Sequence, residues 1–110
     1  INALTTELYE GTADFYYGRR GHIPGSLSLP FLDILDNDFF KEPNELKNIL
    51  ESQGMISAES VIIYCGGGIA ATLNAFACKL LGQDNVSVYD GSMSEWVLSD
   101  DREVTLGTKP

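Results

Sequence analysis

The sequence is poor in several features that would point to particular classes of protein. It has two cysteines and one histidine in 110 residues, too few for a disulfide framework or for a zinc site with the usual ligand spacing. Seven basic residues stand against sixteen acidic ones, and the net charge of -9 argues against nucleic acid as a partner. No apolar run approaches the roughly 20 residues that cross a bilayer. We therefore expect a soluble protein without a metal, nucleic acid or membrane, and a free thiol favours the cytoplasm.

The chain does have enough apolar sequence for one core. Hydrophobic residues make up 44% of it and charged residues 21%, which is ordinary for a folded globular protein. A chain of this length supports one hydrophobic core rather than two independent ones. We predict a single domain over residues 1–110.

Apolar patterning predicts several short strands separated by loops. The predicted strand segments are 1–4, 26–29, 61–64 and 86–89. The run Val61–Tyr64 is uninterrupted and uncharged, as expected for a central strand covered on both faces. The segments 5–21 and 105–110 show no period, so we predict a long loop and a loose tail there.

Helical spacing predicts helices between these strands. One should begin near Pro43 and end at a cap on Gly54, another should begin at Ile69, and a further turn should run through Trp96. The predicted apolar face of the second helix comprises Ile69, Leu73, Phe76, Ala77, Leu80 and Leu81. Cys78 should lie off that face. Alternation of strands and helices favours an α/β fold with a parallel sheet, in which ligands bind beyond the carboxyl ends of the strands.

A cysteine stands where the strand 61–64 meets the following helix. After Cys65 the sequence continues with three glycines, which remove every Cβ from one wall of the turn and let successive amide N–H groups converge on an anion. The positive end of the helix dipole adds to this effect, so we expect the thiolate to be favoured over the thiol. A buried structural cysteine on a tight turn is the alternative interpretation.

Three motifs together resemble the rhodanese-type sulfurtransferases. They are GHIPGS at 21–26, VIIYCGGGIAA at 61–71 and VYDGS at 88–92 with Glu95 and Trp96 after it. The resemblance spans nearly the whole chain and implies a rhodanese-like three-layer α/β fold, a small parallel sheet flanked by helices on both faces. It also implies that Cys65 is the nucleophile, which carries sulfur as a persulfide. The backbone amides that would hold the persulfide and the donor belong to Gly66, Gly67, Gly68, Ile69 and Ala70.

The cysteine loop differs from the family pattern in its charge. Thiosulfate-preferring members usually have arginine or lysine in the loop, and this loop has neither, so it looks more like the mercaptopyruvate type. The mercaptopyruvate type, however, is similar to sites that also use arginines from an earlier strand and loop. At the position after Ala3, where the family often has arginine, this sequence has Leu4. Arg19 and Arg20 are the nearby candidates for donor binding, with solvated loop arginines as the alternative. Ser92 could bond the donor or the sulfur, or be a plain turn serine.

Other residues near the motifs have predicted structural roles. The resemblance implies that His22 bonds neighbouring backbone in its turn, and we prefer this to a cysteine–histidine catalytic pair. Asp90 is expected to bond backbone in its own turn. Met93 could form an apolar wall of the pocket, and Trp96 is expected in the core.

Three other functions remain open beside small-molecule sulfur transfer. A related thiol phosphatase would need arginine six positions after the cysteine, where Ala71 stands, so phosphate-ester hydrolysis should be very weak. The domain could instead be a non-enzymatic regulatory module, or a carrier that takes sulfur from a protein donor. The expected partners are a small-molecule donor and a thiol or cyanide acceptor, with a thioredoxin-like or other sulfur-relay protein as a further candidate. No cofactor is expected.

The resemblance also predicts a wider domain context. Rhodanese-like domains normally begin with a further strand and helix before the segment represented by 1–4. We therefore expect either an N-terminally truncated domain or the later domain of a longer protein. A longer chain should then melt at a higher temperature, because a sheet edge would gain a partner.

Overall fold

A computed structural model describes all residues from 1 to 110, and four helices surround a small sheet. The elements in chain order are α1 (Thr6–Glu10), a 3₁₀ helix (Phe31–Ile34), β1 (Leu35–Asp36), β2 (Phe39–Phe40), α2 (Pro43–Ser52), β3 (Val61–Ile63), α3 (Ala71–Leu80), β4 (Val86–Val88) and α4 (Ser92–Trp96). None of these helices has the length and apolar character needed to span a membrane. The combination of helices with a parallel sheet confirms the predicted α/β class.

The predicted strand segments meet in one parallel sheet. β3 pairs with β4 in parallel, with Val61 opposite Val86. Parallel bridges join Asn2 to Tyr64 on one side and to Ser28 on the other. The sheet order is therefore Ser28, Asn2, β3 and β4, with only single bridges at the first two positions. A separate hairpin of β1 and β2, which the sequence analysis did not predict, turns at Asn37 with a φ of 56°.

Helix α3 packs on β3 and β4 through a face different from the predicted one. Its buried residues are Ala71, Asn74, Ala77 and Cys78, whereas Phe76 is 56% exposed. Small side chains let the helix approach the sheet closely. The side-chain Nδ2 of Asn74 donates to the Leu29 carbonyl at 2.9 Å. The prediction that Cys78 lies off the packed face is wrong, because the helix packs through small side chains and Asn74 rather than through its large apolar residues.

The central strand is covered fully on one face only. Val61 and Ile63 are buried, but Ile62 between them is 62% exposed. Side chains alternate across a strand, so Ile62 points away from the face that α3 covers. The prediction that this strand is covered on both faces is therefore wrong at Ile62.

A short helix interrupts the segment that the sequence analysis predicted as a loop. The hydroxyl of Thr5 accepts from the amide of Leu8 at 3.4 Å, which caps the start of α1. Gly11, with a φ of 87°, ends the helix and donates to the Glu7 carbonyl at 3.0 Å. Because α1 spans only five residues, it is too short to show a periodic pattern.

The C-terminal tail is bonded to the body of the domain, so the prediction of a loose tail is wrong. His22 and Thr105 exchange backbone hydrogen bonds of 2.9 and 2.8 Å. The amide of Gly107 donates to the Glu10 carbonyl, at the end of α1, at 2.9 Å. The polar composition of the tail suggested that it is mobile. Its hydrogen bonds to the rest of the domain, however, come from backbone groups, which every residue has whatever its side chain.

The ring of His22 lies at the centre of this arrangement and is fully buried. Its Nδ1 is 2.7 Å from the Tyr9 carbonyl and its Nε2 is 3.0 Å from the Lys109 carbonyl. The ring also stacks on Tyr9 at a centroid distance of 3.6 Å. These contacts join α1, the turn at 21–25 and the tail, and none of them reaches Cys65.

We expect His22→Ala to lower the free energy of unfolding by about 2–4 kcal/mol, because it removes the ring contacts to the Tyr9 and Lys109 carbonyls and opens a cavity beside Tyr9. Urea denaturation measures the change. Leu98→Ala is the control, since Leu98 is 81% exposed and should shift stability by less than about 0.5 kcal/mol. Equal stability of the two variants would contradict the structural role of His22.

Candidate active site

Cys65 lies where β3 ends and the loop to α3 begins, at the wall of an open cavity. The residue is 2% exposed, yet it lines this cavity of about 730 Å³. The other lining residues are Leu4, Thr5, Leu8, Tyr17, Phe31, Gly66, Gly67, Ile69, Ala70, Thr72 and Leu73. The thiol is therefore held firmly by the fold and still faces space that a small molecule can enter.

Two groups approach the sulfur of Cys65. The amide of Gly68 donates to Sγ at 3.1 Å, the bond expected to stabilise negative charge on sulfur. The hydroxyl of Ser92 lies 4.0 Å from Sγ, but it also lies 2.8 Å from the Tyr89 carbonyl. A hydroxyl has one proton, so the shorter bond to the carbonyl takes it, and Gly68 provides the main contact to sulfur.

The loop after Cys65 is fastened to α4 through its carbonyl groups. The Cys65 carbonyl accepts from the amide of Met93 at 3.0 Å. The Gly66 carbonyl accepts from the amide of Ser94 at 2.9 Å and from its hydroxyl at 2.7 Å. Met93 is itself buried in the core and does not line the cavity, so the predicted pocket wall at Met93 is wrong.

The amides of the same loop are mostly free. The N–H groups of Gly66, Gly67, Ile69 and Ala70 donate to no acceptor within the protein, and only Gly68 is engaged, by the sulfur itself. Three of the five residues with these amides are glycines, so few side chains obstruct approach. Free amide donors beside a sulfur provide binding positions for an anion.

Two of the three loop glycines have no room for a side chain. A Cβ on Gly66 would overlap the ring of Tyr17, and Gly68 has a φ of 91° with the Asp90 carbonyl close to where its Cβ would be. At Gly67, by contrast, a Cβ would meet no atom within 4 Å, and the backbone has no left-handed φ. The backbone therefore requires glycine at Gly68, whereas a side chain at Gly66 would require the ring of Tyr17 to move.

Ser92 lies beneath the loop rather than at the rim of the cavity. It is fully buried, and its hydroxyl accepts from the Cys65 amide at 3.0 Å. Its φ of 52° is unusual for a residue with a side chain, and it begins α4 in this strained conformation. Ser92 is therefore placed to orient Cys65, not to touch a donor in the cavity.

The structure does not bring Arg19 or Arg20 to the cysteine. The guanidinium of Arg19 donates to the carbonyls of Ser99 at 3.3 Å and Arg102 at 2.7 Å. Arg20 donates to the carbonyls of Gly11 and Ala13, and neither arginine lines the cavity. The predicted donor-binding role has no geometric support here, because backbone carbonyls already occupy both guanidinium groups.

Asp90 and Ala71 lie at two positions beside the loop where a charged side chain would affect the binding of an anion. Asp90 is exposed, and its backbone and Oδ1 lie against Gly68, while the side chain makes no hydrogen bond to its own turn. Ala71 is fully buried at the start of α3. No guanidinium therefore stands at the position from which a phosphatase would clamp phosphate.

The residues that form the cavity walls were not predicted from the sequence. Leu8 comes from α1, Tyr17 from the following loop and Phe31 from the 3₁₀ helix, all in segments without a recognisable motif. Only Tyr17 had an indirect signal, because a loop glycine such as Gly66 often marks the close approach of another group.

The chain is similar in sequence to known proteins. The family model for the rhodanese-like domain matches residues 7–99. Thiosulfate sulfurtransferase of Mus musculus is 43% identical over 77 residues, which cover 69% of this chain and 26% of the relative. 3-Mercaptopyruvate sulfurtransferase of Escherichia coli (strain K12) is 37% identical over 78 residues, covering 71% of this chain and 28% of the relative. The chain thus spans about a quarter of the length of these relatives.

Solved structures show the same fold. The Tum1 protein from Saccharomyces cerevisiae superposes with a TM-score of 0.81 at 28% identity, covering 99% of this chain and 40% of that one. The anaerobic ergothioneine biosynthesis enzyme from Chlorobium limicola gives a TM-score of 0.87 at 25% identity, covering 96% of this chain and 27% of that one. The overall fold is therefore that of known domains.

The glycine geometry predicts different effects of two neighbouring substitutions. Gly66→Ala should displace Tyr17 or the loop and destabilise the protein by about 1–3 kcal/mol, the usual cost of overpacking. Gly67→Ala should be nearly neutral, since its side chain would meet open space. Denaturation midpoints measure both, and equal losses would contradict the assigned contact between Gly66 and Tyr17.

The two cysteines should differ strongly in reactivity. Burial raises the pKa of the Cys78 thiol to about 11, so it keeps its proton at neutral pH. Iodoacetamide at about pH 8 should therefore modify Cys65 and leave Cys78 intact in the folded protein, as peptide mass mapping would show. Modification of Cys78 should rise only as the pH approaches its pKa. Equal labelling of both thiols at pH 8 would contradict the different surroundings assigned to them.

Proposed function

The chain belongs to the rhodanese-like domain family, and we propose on this basis that it is a sulfurtransferase whose nucleophile is Cys65. The observation that carries the proposal is the arrangement at 65–70. One thiol faces a cavity of about 730 Å³, and four amides beside it have no acceptor within the protein. This arrangement suits a sulfur atom that gains and loses a second, negatively charged sulfur.

The first half of the reaction loads Cys65. The Cys65 thiolate attacks the outer sulfur of a thiosulfate- or mercaptopyruvate-type donor, the new S–S bond forms, and the bond between that sulfur and the rest of the donor breaks. With thiosulfate the electron pair leaves on sulfite. The product is a persulfide whose terminal sulfur is anionic, and the amides of Gly66, Gly67, Gly68, Ile69 and Ala70 would stabilise that charge.

The second half returns Cys65 to its starting state. A thiolate or cyanide attacks the terminal sulfur, forms a new bond to it and leaves the electron pair of the S–S bond on Cys65. The acceptor departs as a persulfide or as thiocyanate. The sulfur of Cys65 thus begins and ends the cycle as a thiolate held by Gly68.

The proposed positioning role of Ser92 follows from its burial. Its hydroxyl oxygen accepts a hydrogen bond from the Cys65 amide, and the hydroxyl donates a hydrogen bond to the Tyr89 carbonyl. Ser92 would therefore keep the sulfur aimed at the cavity in both halves of the reaction without contacting the donor. His22 and Asp90 would act on the fold and on the loop shape rather than on sulfur.

A protein acceptor is the second candidate, and an exposed apolar residue favours it. Ile69 is 83% exposed at the mouth of the cavity, where a thioredoxin-like or other sulfur-relay protein could pack on it. If a protein also donates the sulfur, the domain would be a sulfur carrier with little activity on small donors. A purely regulatory domain would need neither the thiol nor the free amides.

Mass spectrometry of the intact protein tests the proposal. Incubation with thiosulfate or with mercaptopyruvate should add one sulfur to the wild type and to Cys78→Ala, and none to Cys65→Ser. Dithiothreitol or cyanide should then remove the added sulfur. Cys78→Ala is the matched control because it removes the other thiol of the chain.

The result also separates the candidates. Loading by a cysteine desulfurase but by neither small donor would favour the carrier. If no donor of any kind loads Cys65, the sulfurtransferase proposal fails.

A further inference from the structure

We propose, resting on the sulfurtransferase function above, that Ser94 is a positioning residue for the cysteine loop. Its hydroxyl and its amide together hold the carbonyl of Gly66, which fixes the peptide group between Gly66 and Gly67. The N–H of that peptide group then stays directed away from α4. In this orientation it is available to the anionic part of a donor or of the persulfide on Cys65.

The carbonyl of Gly66 accepts two hydrogen bonds from α4, both from Ser94. The hydroxyl of Ser94 donates to it at 2.7 Å, and the amide of Ser94 donates at 2.9 Å. The preceding carbonyl, that of Cys65, accepts one bond, from the amide of Met93 at 3.0 Å. A carbonyl oxygen has two lone pairs, so Ser94 occupies both of those on Gly66. One residue therefore sets the orientation of this peptide plane.

The peptide group between Gly66 and Gly67 needs such a restraint because a glycine stands on each side of it. Rotation of a peptide plane changes ψ of the residue before it and φ of the residue after it, and glycine has no Cβ to oppose either change. A Cβ on Gly67 would meet no atom within 4 Å, so packing around this residue does not hold the plane either. Without the bonds from Ser94, half a turn of the plane would meet little resistance.

The orientation of this plane decides whether it offers a hydrogen-bond donor or an acceptor on the side away from α4. The carbonyl and the N–H of one peptide group point to opposite sides. Gly67 lines the cavity, and its N–H has no acceptor within the protein. Half a turn of the plane would direct this N–H towards α4 and the Gly66 carbonyl oxygen away from it. That oxygen has a partial negative charge, so an anion beside Cys65 would lose an attractive group and meet a repulsive one.

The hydroxyl of Ser94 can be removed without weakening the helix that contains it. Ser94 is the third residue of α4 and is exposed. Alanine has a higher helix propensity than serine, so Ser94→Ala removes the hydroxyl bond and keeps the helix and the backbone bond to Gly66. Ser94→Thr keeps a hydroxyl at the same position and is the conservative variant.

Alkylation of Cys65 by a charged and a neutral reagent tests the loop without any sulfur donor. Iodoacetate and iodoacetamide react in the same way, because the thiolate forms a bond to carbon and iodide leaves with the electron pair of the broken bond. Iodoacetate also has a carboxylate that the loop amides can bind. The ratio of the two rate constants, measured by peptide mass mapping at Cys65, therefore reports anion binding. The fraction of thiolate affects both rates equally and cancels.

Ser94→Ala should lower the ratio of the iodoacetate to the iodoacetamide rate constant about 2- to 10-fold, the range expected for the loss of one hydrogen bond that holds the plane. Ser94→Thr should retain the wild-type ratio. Ser60→Ala, at an exposed serine before β3, is the matched control and should also retain it. A general disturbance of the fold would slow both reagents alike and leave the ratio unchanged.

Alanine at position 67 examines the cause of the effect. Gly67 has no left-handed φ, and half a turn of the plane would carry its φ towards the left-handed values that alanine disfavours. Gly67→Ala should therefore oppose the rotation in place of the hydroxyl bond. When Ser94→Ala is introduced into the Gly67→Ala protein, it should lower the ratio much less than it does in the wild type.

Each outcome decides between these possibilities. A wild-type ratio in Ser94→Ala, or an equal loss in Ser94→Thr, overturns the role of the hydroxyl. The same loss with and without Gly67→Ala overturns rotation of the plane as its cause. Loading of wild-type Cys65 by sulfur donors, followed by intact mass, is measured separately. If no donor loads Cys65 while the alkylation ratios change as expected, the sulfurtransferase proposal fails and the effect of Ser94 on anion binding stands.

Discussion

The cysteine loop depends on hydrogen bonds that its carbonyl groups make to α4. The carbonyls of Cys65 and Gly66 accept from Met93 and from both donors of Ser94, at 2.7 to 3.0 Å. A peptide group directs its carbonyl and its amide to opposite sides, so engaging these two carbonyls on α4 leaves the amides of the same peptide groups, those of Gly66 and Gly67, directed away from α4. A segment 27 residues after Cys65, beginning at Ser92, therefore decides what the cysteine loop can bind.

Local patterning predicted the elements that are made by local interactions. β3 and α2 are close to their predicted ranges, because an apolar run and a Pro-initiated helical period are sufficient signals. α3 was predicted as a helix with the wrong buried face, since the choice of Asn74 and Cys78 over Phe76 depends on which surface the sheet presents. α1 was not predicted because five residues are too few to show a periodic pattern. The bonded tail was not predicted because its hydrogen bonds join backbone groups far apart in the chain.

In the candidate site, too, the residues that are consecutive in the sequence were predicted, and those that come from distant segments were not. Cys65 and its glycines were found from consecutive residues, and their placement at the end of a strand follows from the order of elements. The walls of the cavity were not found, because Leu8, Tyr17 and Phe31 come together only through the packing of three separate segments. The arginines looked suitable by proximity in sequence. In the fold, however, Arg19 donates to the carbonyls of Ser99 and Arg102, some 80 residues later, and Arg20 donates to those of Gly11 and Ala13.

The contacts of His22 tie one wall of the cavity to a distant segment of the chain. Leu8 lies on a five-residue helix, and its neighbour Tyr9 is joined through His22 to Lys109. The sulfur of Cys65 is held separately, between β3 and α4. A change in the contacts of His22 would therefore move the wall at Leu8 while the reacting atom keeps its position.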